Sequence, residues 1–103
     1  MADQLRVLIA DDHTIVRSGV RLLLETESEI LVVGEALNGE EALTMAESLQ
    51  PDVILMDIAM PGVDGLQATR QIKARWPEIK VLVLTMHRSE EYFFEMLKAG
   101  ASG

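Results

Sequence analysis

The sequence contains no cysteine, which excludes a disulfide scaffold, a thiolate metal site and a cysteine nucleophile and fits a reducing compartment. Basic side chains are also few, at 9 Lys and Arg against 17 Asp and Glu, and the formal net charge is −8 at pH 7. Nucleic acids and anionic membranes are held by clustered basic side chains, so we expect this chain by itself to bind neither. No apolar run approaches the roughly 18 residues of a membrane span. We therefore expect a soluble, cytoplasmic protein.

Short apolar runs alternate along the chain with stretches of helical periodicity. Since 49% of the 103 residues are hydrophobic, there is enough apolar surface for one domain, which we place at residues 1–103. The apolar runs predict four strands, at residues 5–10, 30–36, 53–56 and 80–84. The stretches between and after them predict helices at about residues 13–26, 38–49, 64–76 and 89–98.

The helix ends carry signals of their own. Asn38 and Asp64 are predicted N-caps, whereas Pro51 and Pro77 stop the helices that precede them. In the first helix, apolar residues recur at helical spacing. We expect its buried stripe to comprise Ile15, Val16, Gly19, Val20, Leu23 and Leu24.

The alternation of strands and helices predicts an α/β fold, a doubly wound parallel sheet with helices on both faces. Sites in such sheets form outside the carboxyl ends of the strands. The first strand ends at Asp11 and Asp12, the third at Asp57 and the fourth at Thr85. The second ends at Ala36 and offers no reactive group. If strands one, three and four are neighbours, three carboxylates and one hydroxyl converge.

Three ionised carboxylates at one rim repel each other, at a cost of about 4 kcal/mol for each pair about 4 Å apart. A cation removes this repulsion, and oxygen ligands suit Mg²⁺ or Mn²⁺. Such an ion next to a carboxylate fits phosphoryl transfer onto Asp57, which stands alone between an apolar strand and a loop. Each aspartate taken singly also fits a turn or a helix cap, and Asp12 as the cap of the first helix stays open.

The chain carries three informative segments, LRVLIADDH at residues 5–13, PDVILMDIAMPGVDG at residues 51–65 and VLVLT at residues 81–85. Together they resemble the receiver domain of bacterial two-component response regulators. The Asp-Asp-His opening, VRSG at residues 16–19 and KAGASG at residues 98–103 resemble the NarL/FixJ branch of LuxR-type regulators. Members of this branch usually carry a C-terminal helix-turn-helix domain. The resemblance implies a flavodoxin-like sheet with strand order 2-1-3-4.

The resemblance also implies a role for each matching residue. Asp57 would accept a phosphoryl group from the phosphohistidine of a sensor histidine kinase. Mg²⁺, or Mn²⁺, would be held by Asp11, Asp12, Asp57 and the backbone carbonyl of Ala59.

Thr85 would be the switch hydroxyl, and Pro61 and Gly65 would shape the loop after the acceptor. A hydrogen bond from Thr85 to the phosphoryl group would pull residues 86–89 and shift the helix at residues 89–98. Consecutive aromatic residues on this helix cannot all face the core, so we expect a partner surface that includes Tyr92, Phe93 and Phe94.

The sequence departs from the family pattern at its C-terminal end. Receiver domains continue into a fifth strand, which ends in a lysine, and a fifth helix, and neither follows Gly103. We therefore expect Mg²⁺ binding but weak phosphorylation. We expect slow dephosphorylation as well, because Ala59 cannot orient a water molecule. Strand four is expected to have a bare edge at residues 81–84 beside an exposed apolar sheet face, which favours homo-oligomers.

The leading hypothesis is a signalling receiver without enzymatic activity other than self-phosphotransfer and autodephosphorylation. DNA would be bound only through a C-terminal domain of the parent protein. One alternative is a module that dimerises or interacts independently of phosphorylation. A Mg²⁺-dependent phosphohydrolase is disfavoured, because Ala59 stands where such enzymes place an acid. His13 is interpreted as a helix-start residue rather than a ligand.

Overall fold

The computed structural model describes residues 4–57, 60, 63–84 and 97–102. In chain order its elements are β1 (Leu5–Ala10), α1 (Thr14–Glu25), β2 (Ile30–Ala36), α2 (Gly39–Leu49), β3 (Val53–Asp57), α3 (Gly65–Arg75) and β4 (Lys80–Leu84). Each of these matches a predicted element to within one residue at either end. The predicted last helix lies outside the described residues except for residues 97 and 98.

The four strands form one parallel sheet in the order β2-β1-β3-β4, which confirms the predicted flavodoxin-like topology. Strand β1 is central and pairs with both β2 and β3. Its last residue, Ala10, lies opposite Ala36 of β2 and Met56 of β3. In the neighbouring pair, Asp57 lies opposite Leu84 of β4. The carboxyl ends of all four strands therefore reach the same edge of the sheet.

Helices α2 and α3 begin where the sequence predicts. The side chain of Asn38 accepts a hydrogen bond from the backbone N–H of Glu41 at 2.8 Å, and Asp64 accepts one from Gln67 at 2.9 Å. Each cap satisfies a backbone donor that has no partner within its own helix. These two caps fix where the chain turns from the sheet edge into each helix.

The sheet face under α2 and α3 carries the larger part of the core. Its buried members come from the strands and from both helices, and most are less than 2% exposed. They include Leu8, Ile54, Met56, Ile72, Ile79 and Val81 together with the small residues Ala42, Ala46 and Ala68.

On the opposite face, α1 covers a smaller cluster of Val7, Ile9, Val32 and Val53. The helix reaches this cluster through Val20 and Leu24. The predicted α1 stripe is therefore wrong in part, since Ile15 is 87% exposed and Leu23 is 72% exposed. Apart from its chain neighbours and the nearby backbone of α1, no described atom lies within 4 Å of a Cβ built on Gly19. The buried arc of α1 instead includes Arg17. Since successive helical residues advance by about 100°, Arg17 lies on the same side of the helix as Val20 and Leu24.

The edge of β4 is not wholly bare, contrary to the prediction. The backbone N–H of Ser102 donates to the carbonyl oxygen of Val81 at 2.7 Å, and Ala101 is buried against the larger core. Gly100, with φ of 114°, makes the turn that brings these residues to β4. Leu82 remains 36% exposed. Among the described residues, no helix combines the length and the apolar character needed to cross a bilayer.

Candidate functional site

The structure brings three predicted site residues together at the carboxyl edge of the sheet. Asp11 follows β1 and Asp57 is the last residue of β3, and both are almost completely buried. Asp12 lies beside them with a more exposed side chain. One carboxylate oxygen from each, together with a ring nitrogen of His13, lies within 4.8 Å of the others. Parallel pairing of β1 with β3 produces this meeting, because it brings the two strand ends level with each other.

His13 belongs to this cluster, which sequence reasoning did not foresee. Its ring Nδ1 lies 2.8 Å from Asp11 Oδ1, 3.1 Å from Asp12 Oδ1 and 3.8 Å from Asp57 Oδ2. Its backbone N–H also donates to Asp11 Oδ1, at 2.8 Å. The hydrogen bond with Asp11 and the charge of Asp12 raise the pKa of His13 above its usual value. The histidine directly after two aspartates was the available sequence signal.

Arg17 is a second residue that sequence reasoning missed. Its buried guanidinium donates from Nη1 to the backbone carbonyl of Asp11 at 2.8 Å and from Nε to Glu35 at 3.2 Å. Arg21 donates to the other oxygen of Glu35 at 2.6 Å. These contacts, the one from Arg21 foremost, hold the pKa of Glu35 below its usual value. Arg17 thus ties Asp11 to β2, the strand expected to contribute no polar group at its end.

The donor set fits a hard divalent cation. Three carboxylates offer oxygen ligands, and two of them are buried, where their mutual repulsion is weakly screened. Asp12 does not cap α1, because His13 occupies the N-cap position. The side chain of Asp12 is thus available to the cluster rather than committed to the helix end.

Helix α2 lies very close to the backbone of Val63, two residues before α3. A Cβ built on Gly39 would lie 1.9 Å from the backbone oxygen of Val63. Only glycine permits the first turn of α2 to approach this backbone so closely. Gly65, one of the predicted loop-shaping residues, is buried and opens α3 after the Asp64 cap. The start of α2 therefore packs directly against the backbone of Val63, just before α3.

The remaining predicted site residues lie outside the described residues. They are Ala59, Pro61, Thr85, Tyr92, Phe93 and Phe94.

Comparison with known proteins identifies the family. A family model described as the response regulator receiver domain matches residues 7–103. The chain belongs to this family. It is 46% identical over 101 residues to the transcriptional regulatory protein DegU of Brevibacillus brevis, covering 98% of this chain and 43% of that protein. The chain thus spans less than half the length of this relative.

Solved structures agree with the assignment. A LuxR-family response regulator from Aurantimonas sp. SI85-9A1 superimposes with a TM-score of 0.92 at 37% identity, covering 98% of this chain and 72% of that one. The isolated receiver domain of RcsB from Salmonella enterica serovar Typhimurium, determined in the presence of the phosphomimetic BeF₃⁻, gives a TM-score of 0.87 at 31% identity. It covers 96% of this chain and 74% of its own. Sequence similarity and structural similarity therefore both support the receiver fold of this chain.

Proposed function

We propose that this receiver domain accepts a phosphoryl group on Asp57 from the phosphohistidine of a sensor histidine kinase. The observation that carries the proposal is the meeting of Asp11, Asp12 and Asp57 within 4.8 Å at the end of β1 and β3. Asp57 ends a buried strand and is itself 3% exposed, so the sheet positions its carboxylate at the buried edge of the cluster. A fixed carboxylate can serve as the nucleophile in phosphoryl transfer.

Asp11, Asp12, Asp57 and the backbone carbonyl of Ala59 are the proposed ligands of Mg²⁺ or Mn²⁺. A divalent ion in such a site neutralises charge on a transferring phosphoryl group. In the protein, Arg17 fixes the backbone of Asp11 through its carbonyl, and the backbone N–H of His13 fixes the carboxylate of Asp11. The chain thus fixes both the backbone and the carboxylate of Asp11 by hydrogen bonds before any ligand arrives.

The downstream part of the proposal concerns signalling. Thr85 is the proposed switch hydroxyl, and the helix segment with Tyr92, Phe93 and Phe94 is the proposed partner surface. Phosphorylation adds about 1.5 to 2 negative charges and three acceptor oxygens, which is enough to bias a two-state loop. Because the relative DegU is a transcriptional regulator, we propose a cytoplasmic parent protein that binds DNA through another domain.

A phosphate mimic tests the proposal directly. Wild-type protein and the variant Asp57→Asn are titrated with BeF₃⁻ in Mg²⁺ and followed by amide NMR. We expect shifts at Asp57, Thr85 and the segment between them in the wild type and none in the variant. The use of BeF₃⁻ with the RcsB receiver domain supports this choice of mimic. If BeF₃⁻ with excess Mg²⁺ caused the same chemical-shift changes in both proteins, Asp57 would be rejected as the acceptor.

Acetyl phosphate measures how far phosphorylation proceeds. The weak labelling and slow phosphate loss expected of the 103-residue chain stay predictions. Mass spectrometry after incubation gives the labelled fraction, and Asp57→Asn is the blank. Robust labelling would contradict the first prediction, and a phosphate lifetime of seconds at neutral pH would contradict the second. Phosphate release from added phosphomonoesters tests the further proposal that the domain has no activity other than its own phosphotransfer and dephosphorylation.

A phosphorylation-independent interaction module is the second candidate. Exposed apolar side chains on α1 favour it, since Ile15, Leu22 and Leu23 are 87%, 67% and 72% exposed. Ile15 and Leu22 are two turns apart and so lie on one face of α1, and contiguous exposed apolar patches commonly mark protein contacts. Analytical ultracentrifugation with and without BeF₃⁻ separates the two candidates. The interaction module would be favoured over the phospho-acceptor if homo-oligomers formed equally in both conditions and BeF₃⁻ caused no change in the NMR spectrum.

A further inference from the structure

We propose that His13 is a direct ligand of the metal site and that it gives this receiver domain a preference for first-row transition ions over Mg²⁺. The inference rests on the proposed metal site of Asp11, Asp12 and Asp57 and adds a nitrogen donor to it. Its geometric basis is the position of His13 Nδ1 among three carboxylate oxygens, one from each aspartate.

Comparison of the three described helix starts shows that the His13 ring does not cap α1. Asn38 and Asp64 use their side chains to cap α2 and α3. His13 occupies the same N-cap position of α1, yet in the described structure its side chain makes no cap hydrogen bond. The N-cap position strongly favours short polar side chains that accept a hydrogen bond from the helix. The ring instead turns to the carboxylates, so a capping role does not explain the residue found there.

The distances from His13 Nδ1 to Asp11 and Asp12 are close to the spacing of adjacent ligands around one ion, and the distance to Asp57 lies between the adjacent and the opposite spacing. With metal–ligand bonds of about 2.1 Å in an octahedron, adjacent ligand atoms lie about 3.0 Å apart and opposite ones about 4.2 Å apart. His13 Nδ1 lies 2.8, 3.1 and 3.8 Å from its three carboxylate neighbours. A ring nitrogen at this position can therefore join the carboxylates around a single ion without a large rearrangement.

Backbone contacts hold the turn that carries the ring. The N–H of His13 donates to Asp11 Oδ1, and the carbonyl of Asp11 accepts from Arg17. The turn from Asp11 to His13 is thereby fixed at both ends by hydrogen bonds independent of the imidazole. The ring remains about half exposed, which leaves room for an ion to approach.

A nitrogen donor changes which ions the site prefers. Carboxylates and water suit Mg²⁺ and Mn²⁺, whereas imidazole suits the later first-row ions. Affinity for such sites rises from Mn²⁺ through Co²⁺ to Ni²⁺. We therefore expect Co²⁺ to bind more tightly than Mg²⁺ at these four residues, with the nitrogen accounting for much of the difference.

The test compares the affinities for Co²⁺ and Mg²⁺ in untagged wild-type protein and the variant His13→Asn. Asparagine is a preferred N-cap, so this variant removes the imidazole while supporting the start of α1. His87→Gln is the matched control, because the sequence contains only these two histidines. Calorimetry gives the affinities, and the visible absorption of bound Co²⁺ reports nitrogen ligation independently of any phosphorylation.

We expect His13→Asn to weaken Co²⁺ binding roughly 10- to 100-fold, the range seen even for groups that only orient metal ligands. Its affinity for Mg²⁺ should change by less than about threefold, because Mg²⁺ favours oxygen. An unchanged Co²⁺ affinity and spectrum in His13→Asn would overturn the inference, as would loss of binding in His87→Gln instead. In either case Mg²⁺ binding by the wild type would leave the proposed function standing. Failure of the wild type to bind Mg²⁺ or Co²⁺ would reject the proposed site itself.

Discussion

The two faces of the sheet are built on different principles. Under α2 and α3, apolar side chains from both helices and all four strands form a continuous buried cluster. Under α1, the apolar cluster is small, and the helix is also held by Arg17 and Arg21 through Glu35 of β2. Apolar packing therefore holds α2 and α3 to one face of the sheet, whereas apolar packing and ion pairs together hold α1 to the other.

This difference bears on the site, because residues on both faces of the sheet support the aspartates at its carboxyl edge. Asp57 ends β3, and two other residues of this strand, Ile54 and Met56, lie in the larger cluster. Asp11 is reached from the other face by Arg17. Asp57, the proposed acceptor, is thus carried by the more closely packed face. Asp11 is positioned in part by a charged side chain that can be altered without emptying the core.

The largest expected effect comes from the packed face. Ile72→Ala should lower the free energy of unfolding by about 2–5 kcal/mol, because Ile72 is completely buried and its truncation leaves a cavity. Leu24→Ala on α1 should cost clearly less, since Leu24 is only partly buried. Urea unfolding followed by Trp76 fluorescence measures both. Equal losses in the two variants would show that the faces are equally packed.

Two glycines extend the comparison from side chains to backbone. Gly39→Ala should destabilise the protein by about 1–3 kcal/mol, because the added methyl group meets the carbonyl of Val63. Gly19→Ala is its matched control and should stabilise the protein by about 0.5–1 kcal/mol, since alanine is the better helix former and the space beside Gly19 is open. Thermal unfolding of both variants is sufficient, and a stabilising Gly39→Ala would contradict the close approach of α2.

The sequence predicted the packed face well and the face under α1 less well, for a physical reason. Strand limits and the Asn38 and Asp64 caps depend on residues close together in the chain, so local patterns reveal them. The α1 stripe instead depends on where the helix meets the sheet. Hydrophobicity alone assigned Ile15 and Leu23 to the core, although an arginine occupies part of the buried arc.

The site shows the same division. The meeting of the three aspartates follows from parallel strands ending at one edge, so strand limits were enough to predict it. The ion pair of Arg17 with Glu35 joins residues that are 18 positions apart and of types common on surfaces. The direction of the His13 ring depends on which acceptors lie nearby in three dimensions. Neither feature has a periodic signature in the sequence.

The ionic tie under α1 should depend on pH. Hydrogen bonds from Arg21 and then Arg17 lower the pKa of Glu35, so the folded protein binds this proton less readily than the unfolded chain. The resulting stability is fully present above about pH 4.3, the usual glutamate pKa, and is lost as the pH falls through the lower folded pKa.

Replacement of Glu35 by glutamine measures this contribution. Glu35→Gln should lower the free energy of unfolding by about 1 kcal/mol near neutral pH, and the gap to wild type should close in acid. Glu25→Gln is the control, because Glu25 is half exposed and only pairs with Arg21 at 3.5 Å. Urea unfolding of all three proteins from about pH 7 down to about pH 3 tests the expectation. A gap that widens in acid would show that Glu35 is not held ionised by the two arginines.

The smallest expected effect on stability lies on the outer surface of α1. Leu22→Gln should change the free energy of unfolding by less than about 0.5 kcal/mol, because the side chain is already 67% exposed and buries little apolar area on folding. Leu24→Gln, two positions away, is the contrasting variant, since Leu24 packs against the smaller cluster and loses apolar contacts on substitution. Urea unfolding gives both values at one protein concentration. A large loss in Leu22→Gln that grows with protein concentration would mean that the exposed arc is covered by a second copy of the chain.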